Sequence, residues 1–309
     1  MPGVFDQIVS RADAASLIPQ QVAGEIIQAA TQGSAALQLC RTTQMSTKTL
    51  VQPVLASFPI AYWVNGDTGL KQTTDATWAG VTMTAEELAA IVAIPDAVIA
   101  DSGVPLWAQV QPLLAEAVAR ALDQAVIAGI NKPATWPAAI VPAATAAGNV
   151  VTEGAAASAG GIAADVDATM GAVEGDGFDV SGFAAKRSFR GKLRGARDTT
   201  GQRLLDVSTN EIEGVQVAYV PAGTFDATTD LVAGDWSMAI VGVRQDITYK
   251  LLDQAVITDD TGKVVLNLPQ QDSTAMRVVA RFGYALANPA THVESGTTNP
   301  FPFAVLKSA

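Results

Sequence analysis

The residues able to do chemistry are few and poorly spaced for it. Asp165 and Asp167 flank Val166 in a helix-patterned stretch. A metal or acid–base site would need both carboxylates on one face, but residues two apart on a helix diverge, so the pair reads as a solvated face. Gly175-Asp176-Gly177 lacks the third glycine and the preceding strand of a dinucleotide loop. Gly262-Lys263 is followed by Val264 instead of Ser or Thr and has no upstream glycine, so it is not a phosphate loop. Cys40 and His292 are the single cysteine and the single histidine. That excludes an intrachain disulfide and thiolate-rich or multi-histidine metal sites. Cys40 reads as a small buried hydrophobe, and His292, in Pro289-Ala290-Thr291-His292-Val293, as a surface or interface residue. No catalytic residues, cofactor-binding residues or metal ligands are expected, and the chain does not read as an enzyme.

The strongest charge feature is basic. Lys186, Arg187, Arg190, Lys192, Arg194, Arg197 and Arg203 are seven of the 19 Lys and Arg residues, gathered in one short stretch. A solvated helix face, pairing with acidic neighbours around an oligomer axis, and weak DNA contact are the three readings. The formal charge of −11 makes the surface as a whole a poor match for phosphates.

The elements that would position these residues follow from hydrophobic period. Leu88–Ile94 is apolar throughout and bounded by Pro95, which predicts a strand ending there or lying at an edge. Val81, Met83 and Ala85 alternate with threonines ahead of it. Leu106, Val110, Leu113, Leu114, Ala117, Val118, Ala121, Leu122, Ala125 and Val126 recur at three- and four-residue steps, predicting one long helix with Ser102 as N-cap and Gly129 beyond its end. Pro112 should kink that helix or mark the start of its second half. Before this unit, residues 46–80 predict a long hairpin with Asn65-Gly66-Asp67-Thr68-Gly69 at its tip. Trp63, Tyr62 and Trp78 pack at the hairpin base or reach a neighbouring subunit. Residues 1–45 read as an arm, with Leu17-Ile18-Pro19 extended and Ile26 and Ile27 gripping something else.

After Gly129 a proline-punctuated loop leads into an Ala-, Gly-, Thr- and Ser-rich linker at 141–160, with a domain boundary near 150. A second lobe follows: helix Ile162–Val173, strand Phe178–Phe183, helix Ala184–Leu193, and strands Val215–Val220, Ser237–Val243 and Ile247–Leu252. The return carries strands Val264–Leu268 and Ala275–Ala287, the latter with Met276, Val278, Ala280, Phe282 and Tyr284 on one face, and then a polar, proline-rich tail. The 309 residues suffice for about two domains. With 49% hydrophobic and 16% charged residues, the composition suits surface buried between subunits. No apolar run approaches the length of a membrane span, and the N-terminus lacks a signal-peptide pattern, so synthesis in the cytoplasm is expected.

The order of these parts resembles the tailed-bacteriophage major capsid protein family, the Hong Kong-type coat-protein fold shared with encapsulins. The arm with Leu17-Ile18-Pro19 and Ile26-Ile27 is similar to the family's N-arm, and the hairpin at 46–80 to its E-loop. The helix running into Asp123-Gln124-Ala125-Val126-Ile127-Ala128-Gly129, then Lys132-Pro133, resembles the family's spine-helix pattern. Leu193–Leu204, with Asp198, Gly201 and Arg203, is similar to a turn of its axial domain, and Arg277-Val278-Val279-Ala280-Arg281-Phe282-Gly283 to its returning strand. The resemblance implies an α+β fold with an N-terminal arm (1–45), an extended E-loop hairpin (46–80), a peripheral domain with a long spine helix (81–149 and 253–309) and an axial domain (150–252).

It also implies hexamers and pentamers closing an icosahedral virion shell around double-stranded DNA without sequence-specific binding. The partners it implies are a separate scaffold protein, a portal and a decoration protein, with no membrane. Ile18, Ile26, Trp63, Lys71, Trp78, Arg187, Arg190, Arg194, Arg197 and Arg203 are the expected inter-subunit contacts. One family member forms Lys–Asn crosslinks between subunits. Lys71 with Asn288 or Asn299 is the corresponding pair, but that reaction needs a buried carboxylate beside the lysine and the sequence identifies none. The alternatives are an encapsulin-type nanocompartment shell and a non-shell α+β enzyme or binding protein.

Overall fold

The computed structural model describes residues 33–59, 61–64, 71, 73–196, 210–291 and 300–308. In chain order the elements are α1 (Ala35–Leu39), β1 (Arg41–Gln44), β2 (Thr49–Ser57), β3 (Thr77–Thr84), β4 (Glu86–Pro95), α2 (Asp96–Asp101) and α3 (Leu106–Asp123). Then come α4 (Ile140–Ala147), β5 (Val150–Thr152), α5 (Ile162–Gly175), β6 (Gly182–Lys186), α6 (Phe189–Gly195), β7 (Glu211–Ile212), β8 (Val215–Val220), β9 (Thr229–Gly234) and β10 (Ala239–Leu252). The last are β11 (Val256–Thr258), β12 (Val264–Asn267), β13 (Ser273–Leu286) and β14 (Phe303–Lys307). The chain forms two compact units, and β4, α3, β10 and β13 each run unbroken from one into the other.

The expected strand is β4, which ends at Pro95 and lies at the edge of a four-stranded sheet of order β1-β10-β13-β4. An unforeseen short helix, α2, follows at once. Its Asp96 accepts from Thr274 Oγ1 at 2.7 Å, and its Val98 packs with Ile94 and Leu106. Ser102 therefore closes α2 and does not cap α3; its hydroxyl accepts from the Val104 N–H at 3.2 Å. Pro112 sits inside α3 and starts no second helix. The expected stripe holds at Leu106, Leu114, Val118, Leu122 and Val126, all buried, but Leu113 is exposed. The helix widens to a π turn at Gln124–Ala128 and stops at Gly129, whose φ of 77° needs a residue without a Cβ. The hairpin β11–β12 packs Ile257 and Leu266 against Leu268 and Ala275.

In the second unit, a six-stranded sheet of order β5-β14-β9-β6-β8-β7 carries α5 and α6 over Phe183, Phe189, Leu193, Leu231 and Leu306. Several sequence expectations fail here, those for β6 and β14 for one shared reason. A strand buried on both faces has a continuous apolar run and no period of its own. The strand expected at Phe178–Phe183 is instead β6, and the helix expected at Ala184–Leu193 begins only at Phe189. The tail holds β14, which lies inside the sheet between β5 and β9; Phe303–Leu306 are all buried. The linker expected at 141–160 opens with α4, which buries Ile140, Val141 and Ala144 and ends at left-handed Gly148. Alanine reads as linker composition but is the strongest helix former. The two strands expected around residue 245 are the single strand β10. β13 keeps the predicted face, with Met276, Val278, Ala280, Phe282 and Tyr284 buried. The expectations for Leu17–Pro19 and for Ile26 and Ile27 lie outside the described residues.

Candidate functional site

The hairpin β2–β3 is a two-stranded antiparallel ribbon running from Thr49↔Thr84 to Ser57↔Thr77. Such a ribbon is marginal in water unless one face is covered. Here Trp78 is 69% exposed on β3, Val51 is 59% exposed on β2, and Trp63 beyond the strands is fully exposed. Both tryptophans could have packed at the hairpin base; neither does. Large aromatics left in water on a long, thin element are candidates for contact with another chain. Lys71 is exposed, and Asn288 donates from Nδ2 to the Pro300 carbonyl at 3.0 Å.

The hairpin base is bound tightly. The Arg244 guanidinium donates to the Met45 carbonyl at 3.1 Å and also to that of Ser46. Trp136 Nε1 donates to the Thr84 carbonyl at 2.9 Å, and Thr135 Oγ1 to Glu86 Oε1 at 2.8 Å.

The basic stretch divides. Lys192 Nζ lies 2.5 Å from Asp230 and 2.7 Å from Glu153, while Lys186 reaches the same Asp230 at 3.3 Å. Burial alone would raise Asp230, but its lysine and glutamate partners hold its carboxyl below the usual range. Burial raises Glu153, with the neighbouring Asp230 adding to the rise. These two lysines therefore serve the fold. Arg187 and Arg194 are exposed, and the Arg190 guanidinium lies 5.6 Å from the centroid of the Tyr219 ring. Arg197, Arg203, Ile18, Ile26, His292 and Asn299 lie outside the described residues.

Sequence reasoning missed a set of buried aspartates that tie down distant segments. Asp165 does not face solvent. Its carboxylate accepts from the backbone N–H groups of Gly154 and Ala155, both at 3.1 Å. Asp176 accepts from Asn149 Nδ2 at 2.7 Å and from the Phe301 N–H at 2.9 Å, clipping the strand that becomes β14. Asp123 is completely buried and accepts from Ser34 Oγ at 2.5 Å and from the Ala35 and Ala36 N–H groups at 2.9 Å each. It thereby holds the first turn of α1. Burial pushes its carboxyl up to about 6 against these three hydrogen bonds, which pull it down. An acidic residue late in a helix opposes the macrodipole; that misfit was the one signal in the sequence. Cys40 is buried beside it, its thiol driven far up by desolvation.

Among the described residues no helix is long and apolar enough to cross a membrane, and no three acidic, cysteine or histidine side chains gather as a metal site.

No curated protein matches the sequence. The structure is similar to one from Microbacterium phage Oxtober96, with a TM-score of 0.82, 38% identity, and coverage of 98% of this chain and 100% of that one. It is similar to one from Mycobacterium phage Bobi, with a TM-score of 0.81, 33% identity, and coverage of 98% and 99%. A structure described as the capsid of an empty GTA particle shares the fold at 17% identity, with a TM-score of 0.63 and coverage of 97% and 98%. The sequence profile of the phage capsid family matches residues 14–292. The chain therefore belongs to the phage capsid family and is a structural protein of the virion shell.

Proposed function

We propose that this capsid protein assembles into hexamers and pentamers that close an icosahedral shell around double-stranded DNA. The observation that carries the proposal is the β2–β3 hairpin, which exposes Trp63, Trp78 and Val51 on a ribbon too thin to bury them itself. A neighbouring subunit supplies the missing cover. On this reading the hairpin region 46–80 is the E-loop, residues 1–45 are the N-terminal arm, 150–252 form the axial domain, and 81–149 with 253–309 form the peripheral domain. Arg187, Arg190, Arg194, Arg197 and Arg203 then face acidic groups of the next subunit around the capsomer axis. Ile18, Ile26 and Lys71 join Trp63 and Trp78 as contacts. The net charge of −11 keeps the wall from gripping DNA phosphates. A separate scaffold protein, a portal and a decoration protein complete the particle, which is built in the host cytoplasm.

Sedimentation of the purified chain, alone and co-expressed with the products of neighbouring genes, tests the proposal. Fast-sedimenting species resolving into rings of five and six subunits are expected. A chain that stays monomeric with every candidate scaffold refutes it.

A further inference from the structure

The Lys192 side chain ends against two carboxylates. Lys192 lies on α6, Asp230 on β9 and Glu153 just past β5, so three separate elements bring the groups together. Lys192 Nζ donates to Asp230 Oδ2 at 2.5 Å and to Glu153 Oε1 and Oε2 at 2.8 and 2.7 Å. The two carboxyls also share a hydrogen bond. At the other Asp230 oxygen, Lys186 of β6 donates to Oδ1 at 3.3 Å and to the Ala227 carbonyl at 2.8 Å.

The fold holds these positions from behind. Leu193 and Leu231, the residues next to Lys192 and Asp230, are wholly buried in one apolar cluster. The Glu153 N–H donates to the Lys307 carbonyl at 2.8 Å. The Asp230 side chain is only 8% exposed. An ion pair needs neither the second carboxyl nor the second lysine. Amide formation uses both: an amine beside a carboxyl carbon, an acid–base group touching both partners, and a cation at the oxygen that gains charge.

We propose that Lys192 and Asp230 condense to an isopeptide bond within the chain, with Glu153 carrying the protons and Lys186 facing the oxyanion. Glu153 first passes a proton from the Lys192 ammonium to Asp230 Oδ2, leaving a neutral amine and a neutral acid. The amine lone pair then attacks Asp230 Cγ. The N–C bond forms, and the carbonyl pair moves onto Oδ1 beside Lys186. Glu153 next carries a second proton from the nitrogen to the Oδ2 hydroxyl. The Cγ–Oδ2 bond breaks, water leaves, and the pair on Oδ1 restores the carbonyl. Ammonium and carboxylate have become amide and water, and Glu153 ends as it began.

Burial works against the Lys192 charge, but its two carboxylate partners outweigh burial and raise the ammonium. The neutral amine is therefore scarce and the reaction slow. It need happen only once per chain, and groups held in contact react as though at very high concentration. Until it happens, the cluster is the ion-pair network described above. Afterwards α6 is tied to β9 across a sequence separation of 38, and the unfolded chain has less freedom to regain.

Intact-mass spectrometry of the full, purified chain, followed through storage, tests the bond. The chain should become lighter by the mass of one water. Protease digestion should then release a branched peptide joining the segments around Lys192 and Asp230. Lys192→Arg keeps the cation but offers no amine to condense, and should hold its full mass. Glu153→Gln removes the proton carrier and should slow the loss by about a hundredfold. A parent chain that keeps its full sequence mass overturns the proposal, and that measurement stands whether or not either variant folds. Water lost equally by Lys192→Arg also overturns it, because the dehydration then lies elsewhere. Loss at the parent rate in Glu153→Gln overturns the role given to Glu153.

Discussion

Asp123 offers a prediction whose size follows from the structure. Burial pushes the folded carboxyl up to about 6, against 3.8 for a solvated aspartate. The gap corresponds to about 3 kcal/mol at 1.36 kcal/mol per pKa unit. The sign follows from linkage. The closed state binds the proton more tightly than an open, solvated state, so the closing of α1 on Asp123 is strongest below pH 4. That extra stability is lost as pH rises through about 6. Burial keeps the neighbouring Cys40 thiol neutral, so it adds no charge of its own across this range. Hydrogen exchange at residues 34–40, corrected for intrinsic rates, should show local opening falling roughly tenfold between pH 7 and pH 5. Asp123→Asn removes the charge but leaves an amide N–H facing the Ala35 N–H, at a cost of about 1–3 kcal/mol for the lost acceptor. It should abolish the pH dependence. Equal slopes in the two proteins, or opening that increases on acidification, would refute the reasoning.

Further outcomes follow from single contacts. Lys192→Met leaves Asp230 and Glu153 without their shared ammonium and should destabilise by about 1–2 kcal/mol near neutrality and progressively less below pH 4, read from denaturation curves at two pH values. Gly234→Ala drives a Cβ into the Phe303 ring and the Pro302 carbonyl and should cost about 3 kcal/mol or leave the protein insoluble. Leu122→Ala, in the buried stretch of α3, should cost about 2–5 kcal/mol. Trp63→Ala with Trp78→Ala should shift unfolding by less than about 0.5 kcal/mol, since both side chains stand in water, yet abolish assembly seen by sedimentation.

Elements with a period of their own were legible. The long helix with its terminal Gly129, the hairpin strands and the alternation of β13 all repeat at 3.6 or 2 residues, and each appears where the pattern puts it. Elements whose surroundings make them were not legible. β6, β9 and β14 are buried on both faces, and their order in the sheet depends on pairing between residues as far apart as Val232 and Val305. The tie-down aspartates escaped for a related reason. Asp165 beside Asp167 looks like a solvated pair until Gly154 and Ala155 are brought to it by the fold. The tryptophans were visible as residue types, but only the structure shows that Trp63 and Trp78 stand exposed among the described residues.

Assembly itself is the most direct test. Negative-stain electron microscopy of the chain expressed alone and with the products of neighbouring genes should show closed shells, tubes or capsomer rings, and the Trp63→Ala, Trp78→Ala chain should give soluble, folded subunits and none of these. Shells formed as readily by the double variant would contradict the hairpin's role, and a monomer from the unaltered chain under every condition would contradict the account as a whole.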